Sequence, residues 1–157
     1  MRGDRENSWI HGEMKAMRRV EKIEFGKHIW GDDRGWGANP MAPMGMPFGA
    51  LGDLHVVSIK PGKVRGNHYH PESTEWVLIF GGEARLIWRD LDDKTAHETI
   101  VAGSETTLYR IPPKIEHAVI NEDSHDIYLI SFSDTQKRGT VRAPLLDKLL
   151  EGDAQEP

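Results

Sequence analysis

Three histidines and a glutamate stand at a spacing that suits one divalent cation. One residue separates His68 from His70, four separate His70 from Glu75, and His117 follows about forty residues later. In a strand, side chains at i and i+2 share a face. His68 and His70 can therefore aim two imidazoles at one point while Tyr69 faces away. Glu75 can return on the next strand after a turn over 71–73, and His117 can close the set from a separate strand. Three imidazoles and one carboxylate suit borderline and hard divalent ions. They leave positions open on a five- or six-coordinate ion, which catalysis requires. Zinc, iron, manganese, nickel and cobalt all accept these ligands, so one divalent ion is expected without its identity. The plainer readings are a structural metal and ordinary solvated strand histidines.

Composition narrows the partners. The chain has 157 residues, 20 Lys and Arg against 25 Asp and Glu, a net charge of −5 and no cysteine. Disulfides and thiolate metal sites are excluded, so any metal is held by nitrogen and oxygen. Charges of both signs are dispersed, with no basic cluster to displace counterions from phosphates, which argues against nucleic acid. No apolar run approaches a membrane span, and the polar N-terminus lacks the hydrophobic core of a signal peptide. A cytoplasmic, soluble protein follows by default.

The ligands need a strand-rich frame. Residues 1–19 read as a polar tail or arm, 20–143 as one β domain, and 144–157 as a short helix and tail. VEKIEF over 20–25 alternates like a first strand. Residues 31–52 are rich in Gly, Pro and Met and read as a long loop. Trp36, Met41, Met44, Met46 and Phe48 would fold it over an apolar surface, such as a barrel mouth or another subunit. Short strands are expected near 54–60, 64–70, 74–80, 83–90, 96–102, 106–111, 116–121 and 125–132. Many short, turn-punctuated strands indicate a sandwich or barrel. PLLDKLL over 144–150 places four leucines on one helical stripe behind Pro144, which suits a first helical position. His55 lies in DLHVVSI, an expected core strand, and faces either the ligand cavity or outward. Strand edges and the Met-rich loop suggest a homodimer.

The run G-x5-H-x-H-x4-E-x6-G from Gly62 to Gly82 resembles the first motif of the cupin superfamily at every defined position. IPPKIEHAVIN resembles the second, through Pro112, His117 and Asn121. Lys114 stands where that motif has Gly, and Thr106 replaces another Gly; both are turn positions. This resemblance implies an all-β fold: a single double-stranded β-helix, the RmlC-like jelly-roll cupin barrel, with a short C-terminal helix outside it. It also implies His68, His70, Glu75 and His117 as the metal ligands. VRGNHYH, DDRGW at 32–36 and YRIPPKIEH are further similar to segments of nucleotide-sugar epimerases and keto-sugar isomerases. RGNHYH followed by TEW looks like the cupin domain of capsular-polysaccharide sugar-nucleotide enzymes.

That second resemblance implies an epimerase or isomerase of a nucleotide-linked keto sugar in cell-surface polysaccharide biosynthesis. Arg34 and Arg65 would contact the pyrophosphate, a role suited to a planar, permanently charged fork; surface ion pairs are their alternative. In the metal-free relatives the histidine of R-G-x-H is the base, and Gln stands where this chain has His70. A metal-bound nitrogen cannot also take a proton. With all four ligands present, His55, Tyr109, Glu116 and Tyr128 become the candidate bases. The competing functions are an iron-dependent dioxygenase of a small substrate and a non-catalytic metabolite-binding module.

Overall fold

The computed structural model describes residues 18–93, 95–136 and 139–153, with side chains in the last helix followed to Leu149. Residues 1–17 of the tail expected over 1–19, and the last four residues, lie outside them. The strands are β1 (Glu21–Ile23), β2 (Ile29–Asp32), β3 (Gly35–Ala38), β4 (Asp53–Ile59), β5 (Val64–Tyr69) and β6 (Glu75–Phe80). They continue with β7 (Ala84–Asp90), β8 (His97–Val101), β9 (Thr107–Ile111), β10 (Ile115–Asn121), β11 (Ile127–Ser133) and β12 (Val141–Arg142). One helical turn, α1 (Met41–Met44), and a last helix, α2 (Leu145–Asp153), complete the α-helices among the described residues.

Two five-stranded antiparallel sheets, ordered β1-β9-β6-β11-β4 and β12-β5-β10-β7-β8, stand beside a two-stranded ribbon, β2-β3. This overturns the expected closed jelly-roll barrel. Among the described residues no ladder joins the sheets, and β1, β4, β8 and β12 remain as edges. Alternation reports which face of a strand is buried. Two packed open sheets satisfy it as well as a closed barrel does.

Between the sheets lies a core that includes Ile59, Val77, Ile79, Leu86, Val119 and Leu129. β6 reads EWVLIF without alternation because both its faces are covered. Its outer residues Trp76 and Leu78 pack with Leu108 and Phe132 beneath Met41, Met44, Met46 and Leu51. The expected loop over 31–52 is thus partly structured: it begins in the β2-β3 hairpin and then lays its methionines over the first sheet's outer face. Trp36 and Phe48 stay largely exposed. On the opposite side of the molecule, Leu145 and Leu146 of α2 cover Ile87, Ala118 and Ile120. The leucine stripe therefore supplies the outer cover of the second sheet.

Candidate metal centre

The ligands straddle the two sheets. His68 and His117 face each other across the β5-β10 ladder. Glu75 opens β6 in the other sheet, and His70 lies in the crossover that links them. The four ligand atoms lie within 4.8 Å of one another. The His68 ring centroid is 4.8 Å from those of both His70 and His117. His70, Glu75 and His117 are buried, whereas His68 is partly open to the adjoining cavity.

A bulge sets the phase of this wall. His117 pairs with His68, but the next residue, Ala118, pairs with Gly66, leaving Asn67 as the extra residue. Gly66 has φ +85° and Asn67 has φ +57°. Arg65 and His68 would face opposite ways in a regular strand. The inserted residue brings both to the same cavity. A Cβ on Gly66 would lie 2.9 Å from the His117 carbonyl oxygen, so this position requires glycine for both conformation and space. Asn67 also anchors the end of the chain: its carbonyl accepts from the Ala143 amide, and its Oδ1 accepts from the Leu146 amide. Lys114 adopts φ +64°, taking the left-handed turn where the motif has Gly.

Backbone carbonyls orient two of the rings. His70 Nδ1 lies 3.1 Å from Gly139 O, and His117 Nδ1 lies 3.0 Å from Ile115 O. A carbonyl only accepts, so each Nδ1 carries a proton, and when neutral the rings present Nε2 lone pairs. Those Nε2 atoms lie 3.2 and 3.1 Å from Glu75 Oε2. Lone pairs facing a carboxylate repel unless the rings are protonated or a cation lies among them. The donor chemistry and its outer carbonyl partners therefore fit one divalent cation. Ser131 donates to Glu75 Oε1. Burial opposes ionisation of Glu75. With the imidazoles protonated, the hydrogen bonds from His117 and His70, the charge on His117 and the Ser131 hydroxyl outweigh it and hold the carboxyl well below its usual range.

The cluster borders a cavity of about 400 Å³, whose wall includes His55, Val57, Arg65, Val77, Leu129 and Ser131. A larger hollow of about 870 Å³, beside Arg18, Trp88, His97 and Arg110, contains none of the four cluster residues. The ligand chemistry therefore selects the smaller one. Arg34 belongs to neither: it sits at the β2-β3 turn with its side chain 85% exposed and ion-paired to Asp32. Asn121 is structural, donating to the carbonyls of Ile59 and His125 at 2.7 Å each.

Among the candidate bases, only His55 lines the ligand cavity. Tyr109 is packed in the inter-sheet core. Glu116 is paired with Arg89, and Tyr128 stacks on Phe80. Sequence reasoning missed Asp53 and Ser131. Both sit in the buried phase of their strands, where an isolated polar residue is itself a signal.

Fold and cluster define an all-β module with a candidate three-histidine, one-glutamate metal centre. The chain belongs to the family described as the polysaccharide biosynthesis C-terminal domain, whose model matches residues 46–138. It is 25% identical over 83 residues to a UDP-2-acetamido-2,6-beta-L-arabino-hexul-4-ose reductase of Pseudomonas aeruginosa, covering 53% of this chain and 22% of that protein. The capsular polysaccharide assembling protein CapF of Staphylococcus aureus is similar in structure, with TM-score 0.55 and 24% identity over 60% of this chain and 29% of that one. The chain thus spans less than a third of either relative. QdtA, a sugar 3,4-ketoisomerase of Thermoanaerobacterium thermosaccharolyticum solved with TDP, matches with TM-score 0.61 and 12% identity over 88% of this chain and 97% of that one. The resemblance to cupin-like nucleotide-sugar enzymes is borne out by the cluster and these matches. Among the described residues no helix is long and apolar enough to cross a membrane.

Proposed function

We propose that this protein is a cupin-like, metal-binding enzyme that epimerises or isomerises a 4-keto nucleotide sugar in polysaccharide biosynthesis. The observation carrying this reading is a largely buried His68, His70, Glu75 and His117 cluster on the wall of a cavity shared with Arg65. A divalent cation held there would supply Lewis acidity at a ketone oxygen. Arg65 would bind the pyrophosphate at the cavity margin, and the aliphatic wall of Val57, Val77 and Leu129 would exclude water from the sugar. The family and its relatives in sugar-nucleotide chemistry support the same reading.

Removing a proton beside a ketone predicts isotope exchange. Incubated in D2O with a panel of 4-keto nucleotide sugars, the metal-loaded protein should wash deuterium into the carbon next to the carbonyl, visible by NMR without net turnover. If no sugar exchanges, and the iron-loaded protein instead consumes O2 with a thiol or enediol, the dioxygenase reading replaces this one. Arg65→Ala should weaken nucleotide-sugar binding in calorimetry while leaving metal content intact. Arg34 has less support for its proposed pyrophosphate contact, because Asp32 holds it away from this cavity. Arg34→Ala should therefore weaken binding less than Arg65→Ala, and the reverse order would overturn the placement of the phosphates.

A homodimer remains part of the proposal. The edge strand β4 exposes Leu54 and Val56, next to Tyr128 on the neighbouring strand. A monomeric mass at micromolar concentration in light scattering would overturn it.

A further inference from the structure

The cavity wall opposite the second sheet carries a pair of groups that metal binding does not use. Asp53 and His55 are two residues apart on β4, and so share its inner face. In register, His55 stands beside Ser131, whose hydroxyl rests on Glu75. The pair therefore flanks the cluster. His55 Nδ1 lies 3.1 Å from Asp53 Oδ2. An ionised carboxylate accepts and cannot donate, so Nδ1 carries the proton, and when neutral the ring holds its lone pair on Nε2. A carboxylate that fixes the tautomer of an imidazole on a substrate cavity is the arrangement that orients a general base.

The alternatives are removed by position. Glu116 is occupied by Arg89, and Tyr128 lies on the outer face of the first sheet. Tyr109 lies within the apolar core, and burial pushes its hydroxyl up from its ordinary range. The imidazoles of His70 and His117 direct Nε2 into the cluster.

We propose that His55 is the base that takes the proton from the sugar carbon beside the ketone, with Asp53 as its positioning residue. This inference rests on the keto-sugar reading above. The C–H bond breaks and its proton moves to His55 Nε2. The electron pair left behind forms a carbon–carbon double bond, and the carbonyl π pair moves onto the oxygen to give an enolate. Asp53 balances the imidazolium charge. Return of a proton, or of a deuteron after exchange with solvent, restores the ketone without any oxidant or reductant.

The test uses the metal-loaded full chain and a 4-keto nucleotide sugar that the wild type exchanges in D2O. His55→Ala should slow exchange by roughly 10²–10⁴-fold, the usual contribution of a positioned base. Metal stoichiometry and nucleotide-sugar affinity should stay at wild-type levels, and added imidazole should restore part of the rate. Asp53→Asn should slow exchange without weakening binding. It should also change the ¹⁵N signature of His55 away from the Nδ1–H tautomer seen in the wild type. Undiminished exchange in His55→Ala, a loss that imidazole does not rescue, a loss that follows departed metal or ligand, or an Nε2–H tautomer in the wild type would each overturn the assignment. Absence of exchange by the wild type across the panel would instead remove the keto-sugar reading, and this inference with it.

Discussion

The wild-type protein is expected to retain one divalent ion per chain after dialysis against a mild chelator, and the His68→Ala, His70→Ala double variant to lose it. The ligands come from four separate places: β5 and β10 of one sheet, β6 of the other and the crossover between them. Removing two imidazoles leaves Glu75 and His117, too few to hold the ion against competing chelation. The loss should exceed the roughly 10–100-fold that removal of an outer-shell partner costs. Acid should have the same effect with a definite sign. Imidazoles bind metal only when neutral, and free imidazole titrates at about 6.5, so affinity should fall as pH drops below about 6. Glu75 is held well below the usual carboxylate range, so it stays ionised through that interval and does not set the transition. Elemental analysis after dialysis across a pH series checks both points. Stoichiometric metal in the double variant would sink the assignment.

Gly66→Ala is expected to damage stability and metal binding together. The left-handed backbone at this bulge costs a side-chain-bearing residue roughly 1–3 kcal/mol. The added Cβ would also meet the His117 carbonyl oxygen at 2.9 Å and Ala118 Cα at 3.2 Å, both backbone atoms that cannot swing aside. Relief requires β5 and β10 to separate, which moves His68 away from His117. Metal affinity should fall by about tenfold or more, in the range seen when ligand orientation is lost. Gly62→Ala is the control. Its φ is +66°, but nothing lies within 4 Å of the added carbon. It should carry a conformational cost and keep its metal. Denaturant unfolding and metal titration of the two variants separate the effects, and equal metal affinities would contradict the role given to the bulge.

The eight strands from β4 to β11 were legible because Gly, Pro and Asp turns bracket them, and α2 because its leucines form one stripe. The i, i+2 spacing paired His68 with His70, although His70 falls just past the end of β5, and the motif resemblance supplied the full set of four. What stayed hidden depended on partners far along the chain. Alternation cannot say whether β1, β4, β8 and β12 pair into a closed barrel or end two open sheets. The β2-β3 hairpin was masked by a glycine-rich stretch whose tight turn at Asp33 and Arg34 carries few β-formers. Arg65 could be placed beside His68 only once the extra residue at Asn67 was known, because odd spacing otherwise puts them on opposite faces.

Paramagnetic relaxation tests the central claim most directly. The site would be loaded with Mn²⁺, a 4-keto nucleotide sugar added, and the relaxation of each ligand proton measured. The sugar protons flanking the carbonyl should relax most strongly and the base protons least, and the enhancement should vanish in the His68→Ala, His70→Ala variant. Weak, uniform relaxation, or the strongest effect on the base protons, would contradict a ketone held at the His68, His70, Glu75 and His117 centre.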